Sequence, residues 1–93
     1  MEFEWDEAKS QSCFKQRGFD FAYVAQAFFD PNRIIEPDNR RDYGETRYRL
    51  YGCINDRLYV VAYTPRNNSF RIISAHKANQ RECSYYENST PKT

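Results

Sequence analysis

The single histidine of the chain, His76, stands where an apolar run meets a polar helix start, in Arg71-Ile72-Ile73-Ser74-Ala75-His76-Lys77-Ala78-Asn79-Gln80-Arg81-Glu82. An imidazole is the side chain best suited to exchange protons near neutrality, and a strand running into a helix start is where an anion can be held. Around it lie Glu82, a second group able to carry a proton, and the cations Arg66, Arg71, Lys77 and Arg81. A guanidinium can hold two phosphate oxygens at once and keeps its charge at any working pH. The residue types therefore suit proton transfer beside a bound anion. Each also has a plainer role: Glu82 sits three residues after Asn79, the spacing of a capping box, and the arginines could simply face solvent.

Those side chains must be positioned by a small protein. With 93 residues there is room for one domain, 1–93, and one modest core. Aromatic residues make up 17% of the chain, eight Tyr and seven Phe among them, so a few large side chains supply much of the buried area. A mean hydropathy of -0.97 and 29% charged residues point to a soluble protein. No segment approaches the roughly 18 apolar residues of a membrane span, and Met1-Glu2-Phe3-Glu4-Trp5-Asp6 lacks the basic and apolar regions of a signal peptide. A cytoplasmic location is expected. Cys13, Cys53 and Cys83 are too widely spaced for a zinc motif and too odd in number for a complete disulfide framework, so reduced, half-buried thiols and neither metal nor cofactor are expected.

A net charge of +1 hides a division. Residues 1–39 carry four Lys or Arg against eight Asp or Glu, whereas residues 40–81 carry nine against three. Such a division suggests an oriented molecule whose positive surface meets a polyanion, or else ordinary solvated charge.

Read in order, Phe3 to Trp5 is a short strand or lead-in, and Asp6 caps a helix that Gly18 ends near Arg17. Asp20 caps a second helix in which Phe21, Val24, Ala25 and Phe28 recur at helical spacing, stopped by Asp30-Pro31. Arg33 to Glu36 suggests a strand. From Glu45 to Ile54 the pattern alternates, with Thr46, Tyr48, Leu50 and Ile54 on one face and Glu45, Arg47, Arg49 and Tyr51 on the other. Asn55-Asp56 turns the chain into Arg57–Thr64, apolar on both faces and so suited to a central position. Pro65 to Ser69 turns it again, Phe70 to Ala75 forms the last strand, and a helix follows through Tyr86, leaving a frayed tail from Asn88. The expected fold is α+β: two N-terminal helices, a three- to four-stranded antiparallel sheet and a C-terminal helix.

The assembled pattern resembles the BrnT family of type II toxins. The likeness rests on Phe3-Glu4-Trp5-Asp6 with Lys9 and Gly18, on Asp30-Pro31, on Gly44-Glu45 with Arg47, and on Arg57 with Val60-Val61-Ala62-Tyr63-Thr64 and Arg66. Arg71-Ile72-Ile73-Ser74-Ala75 through Glu82 to Tyr86-Glu87 completes it. The resemblance implies a RelE-like ribonuclease fold, RNA cleavage inhibiting translation, and a BrnA-type ribbon-helix-helix antitoxin in a hetero-oligomer. Departures fall at Cys13, at Gln16-Arg17, and at His76, where the family usually carries Arg; the last exchanges a phosphate-binding cation for a proton-transfer group.

Under that resemblance the roles sharpen. Metal-independent cleavage must deprotonate the 2′-hydroxyl, stabilise the phosphorane and protonate the 5′-oxygen, leaving a 2′,3′-cyclic phosphate. His76 and Glu82 are the expected acid and base, with Arg66 and Arg71 on the phosphate. Lys9, Arg47, Arg49, Lys77 and Arg81 are the expected RNA-binding cations, and Tyr63 and Tyr86 could stack on a base. A weakened, purely binding module and a docking protein with an aromatic surface remain as alternatives.

Overall fold

Helix caps punctuate the N-terminal third and alternating strands fill the rest, and the computed structural model, which describes residues 1–89, assembles them as a mixed α+β fold. In chain order the elements are β1 (Glu2–Trp5), α1 (Glu7–Arg17), α2 (Phe21–Val24) running into a 310 segment (Ala25–Phe29), β2 (Ile34–Pro37), β3 (Tyr48–Ile54), β4 (Arg57–Arg66), β5 (Ser69–Lys77) and α3 (Gln80–Ser89). They form one five-stranded sheet of order β1-β5-β4-β3-β2.

The expected antiparallel sheet of three or four strands accounts for β2 to β5 but misses the fifth. β1 lies parallel to β5, from Glu2 opposite Ser69 to Trp5 opposite Ile72. Its two apolar side chains, Phe3 and Trp5, pack against the main core and hold the short strand at the sheet edge. The helices then carry the chain across one face to β2 at the far edge.

Both helix starts follow from their caps. Asp6 accepts from the Lys9 N–H at 3.2 Å, and α1 ends at Gly18 in the left-handed region at φ 85°. Asp20 accepts from the Tyr23 N–H at 2.9 Å. The second helix is not continuous, however. After Val24 it tightens to a 310 turn, which buries Ala27 beside the expected Phe28 and leaves Ala25 only half-buried against the core.

Other boundaries shift. β3 begins at Tyr48, not Glu45; β4 continues to Arg66, and the turn expected over Pro65–Ser69 contracts to Asn67 and Asn68, the former at φ 55°. Asn55 and Asp56, at φ 49° and 66°, make the expected two-residue turn. The last helix extends past Tyr86 to Ser89, so Asn88 and Ser89 are helical; the rest of the expected frayed tail, residues 90–93, lies outside the described residues.

The sheet is covered on both faces. On one side α1, α2 and the 310 segment cover Leu50, Ile54, Tyr59, Val61, Tyr63, Ile72 and Ala75. On the other, α3 covers Tyr51, Leu58 and Val60 with its half-buried Cys83 and Tyr86. β4 supplies residues to both, as its unbroken apolar run demands. A bulge at Ile73 in the β4–β5 pairing lets Ile72 and Ala75, three apart, face the same core. All three cysteines are free thiols, Cys13 buried and the others half-buried. No helix among the described residues is long and apolar enough to cross a membrane.

Candidate active site

Strand parity decides which functional side chains share a surface. Tyr63 and Ile72 point into the helix-side core, so Thr64 and its partner Arg71 face the α3 side. By the same reasoning His76, opposite Val60, and Ser74, opposite Ala62, face α3. Arg49 of β3, opposite Ala62 on β4 and Glu36 on β2, lies in the same layer. Arg66, at the end of β4, shares this face but is exposed in the hairpin.

The β5–α3 junction brings His76 and Glu82 together. His76 Nε2 lies 3.0 and 3.1 Å from the two Glu82 carboxylate oxygens. Glu82 is fixed from its other side by a reciprocal cap: the Asn79 N–H donates to Glu82 Oε1 at 2.9 Å and the Glu82 N–H donates to Asn79 Oδ1 at 2.8 Å. The capping role and the imidazole contact are therefore the same carboxylate at work. In neutral His76, a proton on Nε2 satisfies Glu82 and leaves Nδ1, which has no hydrogen-bond partner among the described residues, to accept another.

Beside this pair a cleft of about 430 Å³ opens between the sheet and α3, lined by Glu36, Arg49, Tyr51, Arg81, Glu82 and Tyr85 among others. Glu36 organises it. Its Oε1 accepts from Arg49 Nη2 at 2.6 Å and from the Tyr51 hydroxyl at 2.9 Å, and its Oε2 accepts from the Tyr85 hydroxyl at 3.0 Å. Burial would raise the Glu36 carboxyl, but these three donors and the Arg49 charge outweigh it and hold it below the ordinary range. Burial first, and the Glu36 bond second, push the Tyr51 hydroxyl up to about 12, so it stays a donor. Glu36, Tyr51 and Tyr85 were not expected here from sequence. Pairing Glu36 with Arg49 requires the β2–β3 register, which an irregular loop of ten residues, 38–47, hides.

The expected site residues divide by position. Arg71 approaches Glu4 Oε1 at 3.9 Å, an ion pair without a hydrogen bond, so its N–H donors are uncommitted among the described residues. On the β4 register Arg71 lies four residues from the His76 level, about 13 Å at ~3.3 Å per residue. Arg66 lies six away, about 20 Å by the same rise, too far to share a phosphate with His76. Arg47 is held by Glu45 at 3.0 Å and covers the Tyr43 ring at 4.0 Å. Arg81 lines the cleft.

Four expectations fall outside the shared surface. Tyr63 is 4% exposed and packed among Phe28, Tyr48 and Phe70, where no base can stack. Tyr86 spends its hydroxyl on Asp30 Oδ2 at 2.6 Å and its ring on the α3-side core. Lys77, opposite Tyr59, lines a groove on the helix side with Phe14 and Tyr23. Lys9, on α1, borders the edge of β5 near Ile73 and Ser74, not the cleft. Alternation in Arg71–Lys77 assigns these faces only once the Ile73 bulge is known.

Comparison with curated proteins gave no match. A family model described as the ribonuclease toxin BrnT of type II toxin-antitoxin systems matches residues 5–82, from the end of β1 through the carboxylate that meets His76. The chain belongs to the BrnT family of ribonuclease toxins.

Proposed function

We propose that this chain is a cytoplasmic endoribonuclease that cleaves RNA without a metal on the α3 side of its sheet, and that a BrnA-type ribbon-helix-helix antitoxin silences it in a hetero-oligomer. The observation carrying this reading is the contact of His76 with Glu82 beside the Arg49 cleft. His76 takes the 2′-hydroxyl proton at Nδ1 while Glu82 offsets the charge of the imidazolium formed. The 2′-oxygen attacks phosphorus, the bond to the 5′-oxygen breaks, and that oxygen takes a proton from water. The products are a 2′,3′-cyclic phosphate and a 5′-hydroxyl. Arg49, aligned by Glu36, and Arg71, free to donate, hold the phosphate charge as it grows. Arg47, Arg66 and Arg81 attract flanking phosphates.

Incubating the purified protein with end-labelled RNA in EDTA tests the reading. Fragments ending in 2′,3′-cyclic phosphate are the expected result. Retention of intact RNA would replace the enzyme with a binding module, and neither binding nor cleavage would leave only a docking protein.

A further inference from the structure

Asp30 closes the 310 segment and is 8% exposed, outside the cleft. Its carboxylate gathers three donors from three parts of the fold. Oδ1 accepts from the Asn32 N–H at 2.8 Å, and Oδ2 accepts from the Cys53 N–H of β3 at 2.8 Å and from the Tyr86 hydroxyl of α3 at 2.6 Å. Burial alone would raise this carboxyl; the Tyr86, Cys53 and Asn32 bonds, with the Arg33 charge, bring it below its ordinary range instead. It therefore holds Tyr86 as an anion, the stronger form of acceptor.

That bond ties α3 to the rest of the fold. Among the described residues the helix contributes none that is fully buried: Cys83 and Tyr86 are half-buried against the sheet, Tyr85 donates to Glu36 and packs edge-on against Tyr51 at 5.1 Å, and Glu82 meets His76. Tyr86 lies four residues beyond Glu82, hence one turn away on the same helix face. Whatever fixes Tyr86 fixes the rotation and height at which Glu82 meets the ring of His76.

We infer that Asp30 is a positioning residue for the reaction: through the Tyr86 hydroxyl it seats α3 so that Glu82 lies against His76. The inference rests on the reading that His76 and Glu82 move the proton. Arg49 and Arg71 belong to strands and not to α3, so their hold on the scissile phosphate does not depend on this strut, and Arg81 on α3 adds only a flanking phosphate contact.

Tyr86→Phe, which keeps the ring and its packing, and Asp30→Asn are compared with the intact chain in single-turnover cleavage and in 15N spectra of the lone imidazole. The expected outcome is a drop of about tenfold in kcat with KM within about twofold, the scale of one lost charge-assisted bond. The ring spectrum should change from one dominated by the Nε2-protonated tautomer to a tautomer mixture. A purely structural strut would lower the melting temperature but leave both readouts alone. Wild-type kcat together with a wild-type ring spectrum in Tyr86→Phe overturns the inference, even if Asp30→Asn fails to fold. His76→Ala separates the two levels. If that variant still cleaves, the catalytic reading falls, and the Tyr86→Phe ring spectrum alone decides whether Asp30 seats Glu82.

Discussion

At the scale of single residues, a cation matters by which of its donors remain available and how near it lies to His76. Arg71 meets Glu4 without a hydrogen bond, Arg49 spends one N–H on Glu36, and Arg66 stands about 20 Å along the sheet from the His76 level at ~3.3 Å per residue. Arg71→Ala and Arg49→Ala should each lower kcat/KM at least about tenfold, roughly 1.4 kcal/mol of transition-state stabilisation. Arg66→Ala should cost no more than about threefold, by weakening a flanking phosphate contact. Initial rates on a labelled RNA check all three, and an Arg66 effect larger than that of Arg71 would reverse the ranking. In the sequence His76, Glu82, Arg66 and Arg71 stand out by type and spacing, but nothing there ranks Arg71 above Arg66, which only the β4–β5 register does. Glu36, Tyr51 and Tyr85 do not stand out, because a strand register joins them, and Tyr63 and Tyr86 look identical in sequence to tyrosines that face a ligand.

At the scale of elements, the caps were the most legible feature, since Asp6, Asp20, Gly18 and the Asn79–Glu82 box each satisfy backbone groups within a few residues of themselves. The alternation of β3 also gave its faces correctly, Leu50 and Ile54 toward the helices and Arg49 and Tyr51 toward α3. What stayed hidden depends on distant partners: β1 becomes a strand only because β5 is beside it, and the 310 segment forms where the chain crosses β3. Gly52 is the point of that crossing. A Cβ there would strike the Ala27 carbonyl oxygen and meet Ala27 Cβ at 3.0 Å. Gly52→Ala should therefore destabilise the protein by roughly 1–3 kcal/mol, the range for overpacking a close contact. Thermal unfolding would show this as a lower melting temperature, and an unchanged one would mean that the 310 segment yields freely.

At the scale of the whole molecule, part of the charge division of the sequence is spent on internal pairs. Glu4 meets Arg71 and Glu36 meets Arg49 across neighbouring strands, and Asp38 meets Arg40 in the loop after β2. Composition could not show this, because it records charge along the chain and not across strands. The pairs set the acid limit of stability. Hydrogen bonds from Arg40 hold the Asp38 carboxyl at about 2, against desolvation, and Glu36 and Asp30 are also lowered. Lowered carboxyls add stability that is complete above the unfolded carboxyl range, about 4, and lost as pH falls through the folded values. Urea midpoints should accordingly stay level from pH 7 to about 5 and decline below about 4, and Asp38→Asn should flatten that decline. The same two-faced sheet places adjacent residues on opposite surfaces, His76 toward α3 and Lys77 toward α1 and α2. Single-turnover cleavage of labelled RNA in EDTA by His76→Ala and by Lys77→Ala therefore asks directly which face carries the chemistry. His76→Ala should slow cleavage at least about 100-fold, the scale of a lost general base, and Lys77→Ala should stay within about twofold of the intact chain. Full-rate cleavage by His76→Ala, or a collapse confined to Lys77→Ala, would contradict an active site between the sheet and α3.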